Sequence, residues 1–257
     1  MLYWKFFTMH LKSQMQYKSS FLLTTIGQFL FSFSTLLGVY FMFMRFDEVE
    51  GFTFEEVLLA FAVVLMAHAL AEILGRGFDR FPRAMGNGEF DRALVRPRSI
   101  ILQILMSQID FTRIGRLIQA ILVLIYAIPA SSIAWSPNKI FILTLMIISG
   151  TIIFFALFML RAALAFFTIE GLEFMNILTY GGREFGRYPF SIYGDNILRF
   201  LTFIIPLALF QYYPLLYLLG RTTNPLNAAA PLLGATFILP THALFRRALK
   251  SYKSTGS

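Results

Sequence analysis

Long apolar runs separated by short charged stretches set the first expectation. Phe21–Met44, Val57–Leu74, most of Ser99–Pro129, Lys139–Ala165 and Leu226–Phe245 each approach the length needed to cross about 30 Å of hydrocarbon as a helix. Ahead of them, Trp4, Phe7, Leu11 and Met15 recur at helical spacing, with Lys5, Thr8, Lys12 and Gln16 on the opposite face. Residues 1–18 therefore predict an interfacial helix, its aromatic side among lipid headgroups and its lysines at the cytoplasmic surface. Phe21–Met44 exceeds the apolar core of a cleavable signal and reads as a retained first span. Asp47, Glu48, Glu50, Glu55 and Glu56, with Arg45 alone against them, suit an outer loop.

The most polar interior stretch is 75–98, where six arginines face three acids between two spans. Short basic loops resist translocation, so this one is expected on the cytoplasmic side. A short helix is predicted from Glu89 to Val95. Gly86-Asn87-Gly88 breaks the chain before it, Glu89 and Asp91 complement the dipole in its first turn, and Pro97 biases Arg96 away from helical geometry. Phe90 and Leu94, four apart, share a face. A connector needs only a few polar residues; a charged helix with an apolar knob predicts a surface for docking a soluble partner.

Ionisable residues inside the apolar runs need separate weighing. His68 and Glu72, four apart, share a face and could form a proton relay. The plainer reading puts Glu72 near the inner headgroups and lets His68 bond a neighbouring helix. Ser99–Pro129 predicts one long helix, amphipathic in its first third. Asp110 and Arg113 pair at the change of character, and Arg116 follows one turn on. Trp135, in the turn between Pro129 and Pro137, marks the outer boundary. Arg161, Glu170 and Glu173 surround the cytoplasmic end of the fourth span. Two topologies then fit. In one, Gly171–Phe185 is a short fifth span and 188–220 an outer re-entrant hairpin broken at Pro206 and Pro214. In the other, 170–196 is an inner loop and Ile197–Leu219 the fifth span. Both bring the last span down to Arg246, Arg247, Lys250 and Lys253 on the inner side, giving an all-α polytopic membrane protein of six spans, a single domain over 1–257.

Composition narrows the function classes. The chain is 57% hydrophobic and 14% charged, with thirty phenylalanines and no cysteine. Disulfide and thiolate chemistry and Cys/His metal sites are thereby excluded, and no metal site is predicted. The net charge of +8 concentrates at membrane-flanking positions, where anionic lipids account for it better than nucleic acid does. No Gly-x-x-x-x-Gly-Lys-Ser/Thr, His-Glu-x-x-His or Gly-x-Ser-x-Gly occurs, and histidines stand only at 10, 68 and 242. The chain is expected to be neither an enzyme nor a nucleotide binder, so pumping would need an outside energy source. Gly181-Gly182-Arg183 reads as close packing or a helix break. Phe29, Phe31, Phe33, Phe41 and Phe43 could line an apolar path, although lipid-facing packing accounts for most of them.

Several short patterns occur in one order: Gly88-x-Phe90-Asp91-x-x-Leu94-x-Arg96-Pro97, Thr179-Tyr180-Gly181-Gly182, Tyr188-Pro189-x-x-Ile192-Tyr193, Thr202-Phe203-x-x-Pro206 and Tyr252-x-Ser254-Thr255-Gly256-Ser257. Together with six spans they resemble, over essentially the whole chain, the permease subunits of type-two ABC exporters. The nearest branch is a poorly characterised one whose members occur with an ATPase and often a second permease. The resemblance implies that 76–98 is a cytoplasmic coupling loop, with Phe81, Arg83, Glu89, Phe90, Asp91, Arg92, Leu94, Arg96 and Pro97 engaging a dimer of ABC ATPase subunits. It implies an outer hairpin over 187–220, with Tyr188, Pro189, Tyr193, Phe203 and Pro206 as gate candidates. It further implies a second permease copy or paralogue, lipid neighbours, and a bacterial plasma membrane with both chain ends cytoplasmic. ATP and Mg would sit on the partner and no cofactor on this chain. An amphiphilic drug, peptide, lipid or glycan-like molecule would be exported by alternating access. An ion-coupled carrier using Glu72, Asp110 and Glu170, or a non-transporting scaffold, are the competing expectations.

Overall fold

The computed structural model describes residues 2–168 and 172–252; Glu170, Gly171, Lys253 and the tail pattern beyond Tyr252 lie outside them. Among the described residues the chain is helical, in the order α1 (Leu2–Gln16), α2 (Lys18–Phe43), α3 (Phe54–Asp79), α4 (Phe81–Gly86), α5 (Asp91–Leu94), α6 (Ile100–Ser107), α7 (Ile114–Ala130), α8 (Pro137–Leu164), α9 (Phe174–Phe185), α10 (Asp195–Phe203), α11 (Leu207–Phe210), α12 (Tyr212–Leu218), α13 (Pro225–Ala235) and α14 (Ile238–Lys250). Short 3-10 turns cover Phe111–Arg113 and Phe190–Tyr193. Among the described residues five helical stretches are long and apolar enough to cross a membrane: Lys18–Phe43, Phe54–Gly86, Phe111–Ala130, Pro137–Leu164 and Pro225–Lys250. A sixth would be the pair Asp195–Phe203 and Leu207–Leu218, bent by 86°.

α3 is the axis of the body. Almost every side chain from Glu56 to Asp79 is buried, the small ones (Ala60, Ala62, Ala67, Ala69 and Ala71) letting α7 and α8 pack closely on two sides. A helix apolar on all faces must be enclosed by others. Thr53 and Glu56 form a capping box at its start, where Glu55 and Glu56 also meet the dipole. α2, by contrast, buries only Ser32 and Val39. Its closest crossing is with α7, where a Cβ added to Gly115 would fall 2.1 Å from the Thr25 carbonyl oxygen, and its far end packs Tyr40 and Phe43 on Phe54 of α3.

Four sequence expectations change. The long helix over Ser99–Pro129 is broken, because Gln108 is extended and Asp110 accepts from the Thr112 amide. The freed groups are bound by α1: Gln14 Nε2 donates to the Ile109 carbonyl at 2.6 Å, and its Oε1 accepts from the Phe111 amide at 3.1 Å. Phe7 and Leu11 of α1 accordingly pack towards Ile109 and Phe111, while Trp4 and Met15 stay exposed. The helix expected over Glu89–Val95 shrinks to the single turn α5, preceded by α4. A straight span over Ile197–Leu219 does not form, since Pro206 caps α11 at the bend. Finally, α9 is only 12 residues long, about 18 Å, and ends where Gly186 faces Val64, midway along α3. The chain continues from mid-body: Leu207 lies against Gly182, Phe210 against Gly150, and the Leu218 carbonyl accepts from Lys139 Nζ at the end of the body away from the arginine loop. By length and composition the bent pair is a broken span or a re-entrant loop.

The tightest helix contact in the body is α3 on α6, where a Cβ on Gly77 would lie 1.9 Å from the Ile104 carbonyl oxygen. Backbone cannot yield as a flexible side chain does, so Gly77→Val is expected to cost about 1–3 kcal/mol. A lowered melting midpoint of the purified chain is the check, and an unchanged one would contradict this crossing.

Candidate functional site: a charged foot and the arginine network above it

The loop end of the body closes on an aromatic cluster. Phe90 packs edge-on against Phe81 (ring centroids 4.9 Å apart), Phe166 (5.6 Å) and Tyr252 (5.1 Å), and Phe245 fills the space behind. Phe90 is 3% exposed, as is Phe81. Phe90 is therefore not the docking knob that its spacing with Leu94 suggested. Five aromatic rings meet in one place facing inward, and their edge-to-face geometry is favourable. Tyr252 also donates its hydroxyl to Asp91 Oδ1 at 2.9 Å. Burial, and then the Asp91 carboxylate, push this phenol above its ordinary value, so it remains the donor. Gln103 Nε2 of α6 bonds the Ala93 and Arg98 carbonyls at 3.0 and 3.1 Å. The foot is thus stapled from both flanks.

What the foot presents outward is different. Arg83, Glu89, Arg92, Arg96 and Pro97 are exposed, and between them Leu94 and Val95 stand 40% and 84% exposed. A groove of about 280 Å³ runs beside them, lined by Glu89, Arg92, Ala93, Arg96, Gln103 and Ile104. The predicted coupling residues are therefore brought together but divided: Phe81, Phe90 and Asp91 hold the foot, and the others form its face. Of the gate candidates, Tyr188, Pro189 and Tyr193 lie at or beside one 3-10 turn, Phe190–Tyr193. The Tyr188 carbonyl accepts from Gln211, Tyr193 donates to the Phe185 carbonyl, and Pro189 and Pro206 are buried, whereas Phe203 points away, 81% exposed.

Above the foot lies a charge network largely missed by sequence reasoning. Glu72, expected near headgroups, is fully buried. Its Oε1 lies 3.3 Å from Arg76 Nη1 and 3.5 Å from Arg113 Nε, and its Oε2 lies 2.8 Å from Arg116 Nη1. Asp79 accepts from Arg76 at 2.6 Å, Arg161 at 3.0 Å and the Tyr180 hydroxyl at 2.8 Å. Asp110 pairs with Arg113 at 3.2 Å, as expected from their spacing, and approaches Arg76 at 3.7 Å. Arg113 also donates to Gln28 of α2, and Arg161 to Asn176 of α9. His68 Nδ1 lies 3.3 Å from Glu72 without hydrogen-bond geometry, its ring held edge-on by Phe154 and Phe158. The network thus joins α2, α3, α7, α8 and α9. Its signal in the sequence was the row Arg76, Arg113, Arg116 and Arg161 on helices otherwise apolar; what was hidden was which acid each would meet.

A family model described as ABC-2 family transporter protein matches residues 29–256. Neither the curated proteins nor the solved structures contain a match to this chain.

Proposed function

The chain belongs to the ABC-2 transporter family, and from that premise we propose that this transmembrane transporter subunit is one half of an exporter driven by a separate ATPase, which docks on the foot at Arg83–Arg98. The observation that carries the reading is the foot itself: an exposed Leu94–Val95 pair ringed by Arg83, Arg92 and Arg96, on a base anchored by Phe90 and by Asp91–Tyr252. Apolar residues rimmed by charge are the composition of a protein-docking patch. The basic loop sets this end in the cytoplasm. ATP binding and hydrolysis in the partner would displace the foot. Because α3 and α4 run directly into it, that displacement would reach the network and, through Asp79, Arg161 and Tyr180, move α9. The partner supplies the difference in free energy between two arrangements of the body. A second permease copy or paralogue completes the path, and α2, largely uncovered, is the span available to face it. The broken hairpin 187–220 is assigned to the outer side, where it closes the path.

The ion-coupled alternative draws on Glu72, but three guanidiniums surround that carboxylate, which is engaged in a buried network and not presented to a solute path.

The test is Leu94→Asp with Val95→Asp. Co-purification of the ATP-binding subunit is expected to fall at least about tenfold, the loss of one well-packed apolar anchor. The melting midpoint of the permease should not change. Undiminished co-purification would remove the docking assignment.

A further inference from the structure

The arginines of the body outnumber the acids available to them. Arg76, Arg113, Arg116 and Arg161 share Glu72, Asp79 and Asp110, while on α9 Arg183 and Arg187, four apart, share Glu184 alone. Glu173 reaches this set only through the Asn176 amide and is itself exposed. Among the described residues each group is thus one positive charge in excess, and the two excesses meet across one cavity. Arg116, Arg183 and Arg187 line it together with Ser32 and Thr35 of α2 and with Glu184, the acid that Arg183 and Arg187 share. The depth is mid-body, because the next turn of α9 carries Gly186 against Val64. Ser32 Oγ and Arg116 Nε, both buried at this cavity, have no hydrogen-bond partner, and Arg187 reaches Thr35 Oγ1 only at 3.4 Å. Guanidiniums in excess of their shared carboxylates are costly at that depth, and an unsatisfied buried hydroxyl adds to the cost.

We propose that this cavity is an anion site: Arg116, Arg183, Arg187 and Ser32 receive the phosphate or carboxylate headgroup of an amphiphile. The inference rests on the transporter reading and gives it a substrate class. Two features select an amphiphile over a free anion. The cavity is walled by α2, whose other surfaces are apolar and uncovered. α2 also lines an apolar groove of about 450 Å³, with Phe29, Phe33 and Leu36 facing Leu122 and Tyr126 of α7, which offers room for an acyl or aryl tail. As it stands, the cavity encloses about 10 Å³, room for a single water molecule. Entry therefore requires α2 to swing outward. Little packing opposes this, because α2 buries only Ser32 and Val39.

The experiment titrates the full chain, purified in uncharged maltoside detergent, with dodecyl phosphate, dodecanol and inorganic phosphate. Binding is followed by melting midpoint and by adducts in native mass spectrometry. Dodecyl phosphate is expected to bind one per chain and raise the midpoint, and the other two are not. Arg183→Gln with Arg187→Gln should weaken binding by about tenfold or more, the loss expected for charge-assisted hydrogen bonds. If that variant does not fold, Ser32→Asp carries the test. A carboxylate placed among three guanidiniums should raise the ligand-free midpoint and abolish the response to dodecyl phosphate. Equal binding by wild type and either variant overturns the site, and equal binding of inorganic phosphate overturns the amphiphile. Co-purification of the ATPase should be unaffected in both variants, so failure here is separable from failure of the docking assignment.

Discussion

Phe90→Ala is expected to lower the stability of the permease itself by about 3–5 kcal/mol, the usual cost of removing a buried phenylalanine. It should also release Tyr252 from Asp91 by emptying the space between Phe81, Phe166 and Tyr252. The measurement is the melting midpoint of the chain purified without any partner, alongside protease sensitivity around residues 87–98. A drop confined to ATPase co-purification, with the isolated chain as stable as before, would show that the ring faces outward in the working molecule. The contrast with Leu94→Asp and Val95→Asp is the useful part. Those exposed substitutions should leave the fold intact and remove docking, whereas Phe90→Ala should damage both, because the foot loses its base.

A comparable loss is expected for Glu72→Gln. Arg76, Arg113 and Arg116 converge on this one carboxylate, and breaking a buried ion pair from one side leaves charge that neither water nor lipid can screen, at about 3–5 kcal/mol. Adding Arg116→Met should recover part of that loss, since the double variant removes the charge as well as its partner, and the coupling read from such a cycle isolates their interaction. If Glu72→Gln melts like wild type, the network does not hold the body together. If Arg116→Met fails to rescue it, Arg76 and Arg113 carry the interaction instead.

The reach of the sequence can be judged from particular residues. Apolar run length placed α2, α3, α8 and the last span within a few residues, because nothing but burial in lipid or protein satisfies such runs. The Asp110–Arg113 pair was legible because i, i+3 partners meet on any helix. The break at Gln108–Asp110 was not: it depends on Gln14, nearly a hundred residues away, replacing the missing backbone bonds. Phe90 was misjudged for a similar reason. Its helical spacing with Leu94 is real in the sequence, but α5 is one turn long, and Phe166, Phe245 and Tyr252 draw the ring inward from distant parts of the chain. Arg183 and Arg187 carried no local signal beyond their spacing, and their importance depends on Arg116 and Ser32 lying across the cavity. The family, read from several short patterns in order, agrees with the match over 29–256.

The light packing of α2 has one more consequence. Its 26 residues extend about 39 Å, more than a typical hydrocarbon slab, and between the Gly115 crossing and the packing of Tyr40 and Phe43 on Phe54 most of its surface is uncovered. A helix longer than the slab accommodates by tilting, within the range its neighbours allow. Thinner bilayers would lay it over and thicker ones stand it upright, so the lipid itself becomes a setting on how far the Ser32 side of the body stands open.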